Sequence, residues 1–69
     1  MKVVDTIVDG QRAVVSPGGV SLVFEWGDYT CRNVDPPADL EDEGAIESVV
    51  REAMAEWEGF CEGMKEVGA

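Results

Sequence analysis

An α+β fold, a four-stranded antiparallel meander sheet with one long C-terminal helix packed on one face, is predicted by three features of this sequence. Apolar residues alternate with period two over residues 1–34, that half is divided by glycine-bearing breaks, and the period changes to 3.6 after residue 44. At 69 residues the chain is one domain, divided into a sheet over 1–34, an acidic proline-containing loop over 35–44 and a helix over 45–66.

The first apolar run, Lys2 to Val8, ends at Asp9-Gly10, a dipeptide suited to a turn in which both central residues have positive φ. A two-residue loop there pairs Val8 with Gln11, Thr6 with Ala13 and Val4 with Val15. Ser16-Pro17-Gly18-Gly19 breaks the chain again, which sets Val15 opposite Val20 and Ala13 opposite Leu22. Gly27-Asp28 reads as a third turn, pairing Trp26 with Tyr29 and Phe24 with Cys31. Paired residues share a face, so one side collects Val4, Thr6, Val8, Ala13, Val15, Val20, Leu22, Phe24, Trp26, Tyr29 and Cys31. Val3, Ile7, Val14 and Val23 fall on the other.

Asp35-Pro36-Pro37 ends the sheet, because proline lacks the N–H a ladder needs and restricts its predecessor. An acidic loop or ragged first turn follows through Gly44. From Ala45, the residues Ile46, Val49, Val50, Ala53, Met54, Trp57, Phe60, Cys61 and Met64 lie within an arc of about 140° at 100° per residue. Glu47, Arg51, Glu52, Glu56, Glu58, Glu62, Lys65 and Glu66 occupy the opposite arc. Gly59 and Gly63 each cost about 1 kcal/mol relative to alanine, which predicts fraying of the last turns. Trp57 and Phe60, at the centre of the helix stripe, are expected to lie over Leu22, Phe24 and Val15.

The chemistry-bearing residues are few. Without histidine, a Cys/His zinc site and the commonest general base are both missing, so the chain reads as a non-enzyme with no catalytic residue, metal or cofactor. Cys31 and Cys61 fall on apolar faces and read as buried reduced thiols, with a mutual disulfide as the alternative. Asp39, Glu41, Glu43 and Gly44 match the first positions of a calcium-binding loop. Position twelve is Val50 rather than glutamate, and Pro36-Pro37 excludes the incoming helix. With no apolar leader and no stretch of ~20 apolar residues, a soluble, cytoplasmic protein without a membrane partner is expected.

Charge is the strongest remaining signal. Fifteen acids face five bases, for a net charge of −10. Residues 1–34 carry four acids and three bases, whereas residues 35–69 carry eleven acids and two bases. Phosphates require a basic footprint, so nucleic acid is not the expected ligand, and a basic protein surface is. On the helix, Glu52/Glu56, Glu58/Glu62 and Glu62/Glu66 are like-charge pairs at i,i+4, each unfavourable by a few tenths of a kcal/mol. Plain solubility or adaptation to salt is the bland explanation, and a working negative field is the other. Six glutamates along a helix of about 33 Å give roughly one charge per 5.5 Å, and a loop lying alongside with its five acids would bring this to roughly one per 3 Å, close to the phosphate spacing of one nucleic-acid strand.

In its size, its lack of cofactor motifs, the segment Asp39-Leu40-Glu41-Asp42-Glu43 and its acidic helix face, the chain resembles the small phage-encoded inhibitors of bacterial defence, the anti-CRISPR and anti-restriction proteins. That resemblance implies an inhibitor that sets carboxylates against a basic, nucleic-acid-binding groove of a host protein. The expected contact residues are Asp39, Glu41, Asp42, Glu43, Glu47, Glu52, Glu56, Glu58 and Glu62. The alternative is a regulatory or adaptor subunit, antitoxin-like, working through apolar sheet surfaces, with a possible homodimer through Val3, Ile7, Val14 and Val23.

Overall fold

The computed structural model describes residues 2–68, with side chains through residue 63. Four strands, β1 (Val4–Val8), β2 (Gln11–Ser16), β3 (Gly19–Phe24) and β4 (Gly27–Cys31), precede one helix, α1 (Glu43–Gly68). The strands form a single antiparallel sheet in the order β1-β2-β3-β4. The predicted meander and its covering helix are therefore present.

Two of the three hairpins have the expected pairing, with Val8 opposite Gln11, Val4 opposite Val15, Ala13 opposite Leu22 and Val15 opposite Val20. Asp9 and Gly10 both take positive φ, 50° and 81°, the conformation that their two-residue turn demands. The third hairpin differs from the sequence reading. Phe24 pairs with Gly27, Leu22 with Tyr29 and Val20 with Cys31, so the turn is Glu25-Trp26 and not Gly27-Asp28. Gly27, at φ 144°, follows that turn as Gly19, at φ 152°, follows Pro17-Gly18, and neither conformation suits a residue with a Cβ. Because the turn moves by two residues, the parity of β4 is unchanged: Tyr29 and Cys31 stay on the helix side. Glu25 and Trp26 leave the sheet for the turn.

The buried core is aliphatic. Val8, Ala13, Val15, Val20, Leu22 and Cys31 of the sheet meet Ile46, Val49, Val50 and Ala53 of the helix, with Val34 from the segment after β4. Trp57 meets Phe24 as expected, with ring centroids 4.9 Å apart, whereas Phe60 is not among the residues packed against the core. Trp57 packs on the rim of the core, and Phe60 is 46% exposed. Length explains this. Twenty-six helical residues span about 39 Å, whereas six-residue strands span about 20 Å, so the first half of α1 covers the sheet and the second half passes its edge. The longest dimension of the molecule, 42 Å against 22 and 21 Å, follows the same imbalance.

The helix begins two residues before the expected Ala45. The Asp42 carboxylate accepts the Ala45 N–H at 3.2 Å and its carbonyl accepts the Ile46 N–H at 3.0 Å, which makes Asp42 the N-cap. Asp39 forms the preceding turn, its side chain accepting the Glu41 N–H at 2.9 Å. At the other end the helix continues through Gly59 and Gly63 to Gly68, and among the described residues no helix is long and apolar enough to cross a membrane.

This arrangement ranks side chains by what they hold. Leu22→Ala, at a site with no exposure, should destabilise by about 2–5 kcal/mol in urea denaturation, while Phe60→Ala should stay within about 1 kcal/mol of the natural chain. Equal losses would mean that the far half of α1, and not the near half, anchors the sheet.

Candidate functional site

The carboxylates singled out from the sequence divide into two groups once side chains are placed. Several are engaged within the fold. Asp39 and Asp42 bond backbone amides before α1. Glu41 pairs with Lys2 at 2.8 Å, and Glu47 lies 3.6 Å from Arg51, which also holds Asp9 at 2.7 Å. These contacts tie the loop before α1 to the start of the chain, and α1 to the first hairpin.

Glu56 departs furthest from an outward, solvent-facing position. Its carboxylate accepts the Tyr29 hydroxyl at 3.2 Å and the Asn33 backbone N–H at 3.0 Å, joining the middle of α1 to the end of β4. Partial burial alone would raise its pKa. The hydrogen bonds from Asn33, Cys31, Tyr29 and Arg32 outweigh that cost and hold it below the ordinary glutamate value. The same contact acts in reverse on the donors. Burial, then the adjacent Glu56 charge, raises the Tyr29 pKa, and burial pushes the Cys31 thiol up to about 12.

Glu43, Glu52, Glu58 and Glu62 form the second group. All are exposed on α1, and no ion pair engages them among the described residues. Of the described bases, Lys2 pairs with Glu41, Arg12 with Asp5, and Arg51 with Asp9 and Glu47, while Arg32 forms no ion pair among the described residues. Among the described residues, Glu52, Glu58 and Glu62 thus carry negative charge that no ion pair offsets, along the middle and far half of the helix.

Beside that field lies a feature that the sequence reading did not identify. All five aromatic residues of the chain form one connected cluster. Trp57 is its hub, with ring centroids 4.9 Å from Phe24, 4.8 Å from Tyr29, 5.8 Å from Trp26 and 5.7 Å from Phe60. Trp26 stacks on Phe24 at 4.9 Å and 9° between planes, yet is 66% exposed. A shallow groove continues from the cluster along β4, lined by Tyr29, Phe60, the Asp28 and Glu56 carboxylates and the Arg32 guanidinium. The contact of Trp57 with Phe24 was expected, but the inclusion of Trp26 and Tyr29 in one cluster was not. Their common end of the molecule follows from the lengths of sheet and helix.

The outer sheet face is polar and apolar in alternation. Val3 and Ile7 are 55% and 66% exposed, but Arg12 clasps Asp5 through two nitrogens, and Ser21 and Thr30 hydroxyls meet at 3.2 Å in the row Asp5–Val14–Ser21–Thr30.

Of the cysteines, Cys31 is buried with its Sγ directed to the Ala53 carbonyl at 3.8 Å, whereas Cys61 is only partly buried, contrary to the expectation that both are enclosed. Both are free thiols, and no disulfide joins them. Cys61 lies beyond the part of α1 that the sheet covers. Among the described residues, no three Cys, Asp or Glu side chains converge as a metal site. Comparison with protein-family models, curated proteins and solved structures finds no match to this chain.

Two measurements follow from this geometry. In native buffer a maleimide should modify Cys61 readily and Cys31 only after denaturant is added, and equal rates at the two thiols would contradict the burial of Cys31. For Glu56, a folded-state pKa below 4.5 means that its ionised contacts contribute fully above that value and are lost as pH falls through the lower one. Glu56→Gln should accordingly be less stable than the natural chain at neutral pH, with the difference narrowing below pH 4.5. A pH-independent difference between their melting temperatures would show that ionisation is irrelevant there.

Proposed function

We propose that this chain is a small, non-enzymatic inhibitor of the anti-CRISPR or anti-restriction kind, which sets carboxylates against a basic, nucleic-acid-binding surface of a host protein in the cytoplasm. The observation that carries this reading is the division of charge on α1. The described bases that form ion pairs join acids of the sheet, the loop and the first helical turns, and Glu52, Glu58 and Glu62 are exposed and outside every ion pair among the described residues. A helix is a stiff mount for such groups, so their spacing is set before a partner arrives, and less ordering accompanies each charge-assisted hydrogen bond to lysine or arginine. Glu43, Glu47 and Glu41 extend the negative field toward the helix N-terminus. Asp39, Asp42 and Glu56 act first on the fold, and their contribution to a partner is chiefly charge.

The adaptor reading through Val3, Ile7, Val14 and Val23 is the weaker one, because the Arg12–Asp5 pair and the Ser21–Thr30 contact interrupt the apolar area on that face.

A pull-down from bacterial lysate at low and high salt, using the natural chain and two variants, tests the proposal. Glu58→Lys combined with Glu62→Lys should abolish capture of the salt-sensitive partner while the fold is retained, since both side chains are exposed and the i,i+4 repulsion between two lysines is no larger than that between the glutamates they replace. Capture by the natural chain should weaken steeply with salt, as exposed charges are screened within ~8 Å at physiological ionic strength. Val23→Asp on the outer sheet face should be tolerated. Normal capture by the glutamate variant together with loss in Val23→Asp would overturn the proposal in favour of the sheet.

A further inference from the structure

We infer that the aromatic cluster at the far end of the sheet is a seat for arginine side chains of the basic partner, with the Trp26 indole as its exposed face; this rests on the acidic-binding reading and gives it a second, non-ionic component. None of its members is among the buried residues of the core, although Phe24, Tyr29 and Trp57 pack against them. Among the described residues the buried core is aliphatic apart from the Cys31 thiol, and the aromatics sit at its rim or beyond it. Phe24 covers one face of Trp26 and leaves two-thirds of that side chain open to solvent, in a two-residue turn held by the pairing of Phe24 with Gly27. Tryptophan so placed exposes a large apolar surface that burial against a partner would recover, and tryptophan and tyrosine are the side chains that most often dominate binding interfaces.

Charge decides which partner fits. The exposed Glu25 and Asp28 neighbour Trp26 along the chain, and the adjoining groove is lined by Asp28 and Glu56 together with Arg32, two carboxylates to one base. An indole face beside carboxylates suits a guanidinium, which stacks flat on the ring and forks to the acids, better than an ammonium, which is compact and more strongly hydrated. Nucleic-acid bases would also stack on these rings, but their phosphates would meet a chain of net charge −10. A second copy of the chain would bring the same acidic rim against this one.

Hexa-arginine and hexa-lysine peptides are defined probes for this inference, and binding can be followed at low salt by tryptophan fluorescence and by calorimetry. Trp26→Leu keeps apolar bulk without a π face, and Trp26→Ala removes both; unchanged melting of either variant establishes that the fold is retained. The natural chain should prefer hexa-arginine by about fivefold or more, and both variants should lose most of that preference while keeping hexa-lysine affinity within about twofold. Glu58→Lys/Glu62→Lys should weaken both peptides together and leave their ratio in place.

Carboxylate forks alone also favour arginine, so the telling result is the change in ratio when the indole is removed. A preference that survives in both Trp26 variants, or an equal loss of both peptides, overturns the inference and leaves the carboxylate reading standing if the glutamate reversals still weaken binding. Glutamate reversals that change nothing while Trp26→Leu abolishes the preference would overturn the carboxylate reading instead. Failure of the natural chain to bind either peptide overturns both. Sedimentation that shows a dimer of the natural chain and a monomer of Trp26→Leu would place a second copy on the cluster and overturn the arginine seat.

Discussion

The contact on which this small fold depends is the aliphatic layer in which Val15, Val20 and Leu22 of the two central strands meet Val50 and Ala53 of α1, all without measurable exposure. A 69-residue chain buries only about 60% of the surface its unfolded form exposes, so a core of this size leaves little margin. Ala53 is as important for what it lacks as for what it buries. Its small side chain lets the helix backbone approach the end of β4 closely enough for the Cys31 thiol to reach the Ala53 carbonyl. The layer also fixes which part of α1 lies over the sheet, and everything beyond that part takes its environment from the overhang.

From the overhang comes the division of the molecule into a structural and a presenting half. Near the start of α1, acids are occupied: Asp42 caps, Asp39 turns the chain, Glu41 holds Lys2, and Arg51 gathers Asp9 and Glu47. Such exposed pairs contribute little individually, but they hold Lys2 and Arg51 near the start of the helix, away from Glu58 and Glu62. Glu56 marks the boundary, as its bonds to Tyr29 and Asn33 join the last covered turn to β4. Past it, the aromatic cluster and the free carboxylates of Glu58 and Glu62 lie on one end of the molecule.

That juxtaposition changes how the acidity is understood. Repulsion among Glu52, Glu58 and Glu62 is unfavourable for an isolated helix, and a marginal core would be better served by alternating signs. Glu58 and Glu62 lie toward the same end of the molecule as exposed Trp26 and Phe60, and on the proposed reading the two features supply different components of recognition, one long-ranged and sensitive to salt, the other short-ranged and dependent on shape. Solubility alone accounts for the first component and leaves the second without a reason.

The sequence by itself determined the element order, two of the three hairpin registers and the sorting of side chains to the sheet faces. Those properties rest on local chemistry: positive φ at Asp9-Gly10, the break at Pro17-Gly18, and a strict period of two that survives even the displaced third turn. The third turn was illegible because Gly27 serves equally well inside a turn or directly after one, and only the pairing of β3 with β4 chooses. Val34 was missed as core because a single apolar residue in a coil has no periodicity to mark it. Amphipathic pattern likewise located the helix stripe but could not say how far along the stripe the sheet would reach, so Trp57 and Phe60 were placed over the core when they lie at and beyond its rim. The roles of the acids were undetermined for the same reason. A carboxylate's position on a helical wheel gives its direction, whereas whether it caps, pairs, accepts a buried hydroxyl or faces water depends on the neighbours that only the tertiary structure brings within 3 Å or so of it.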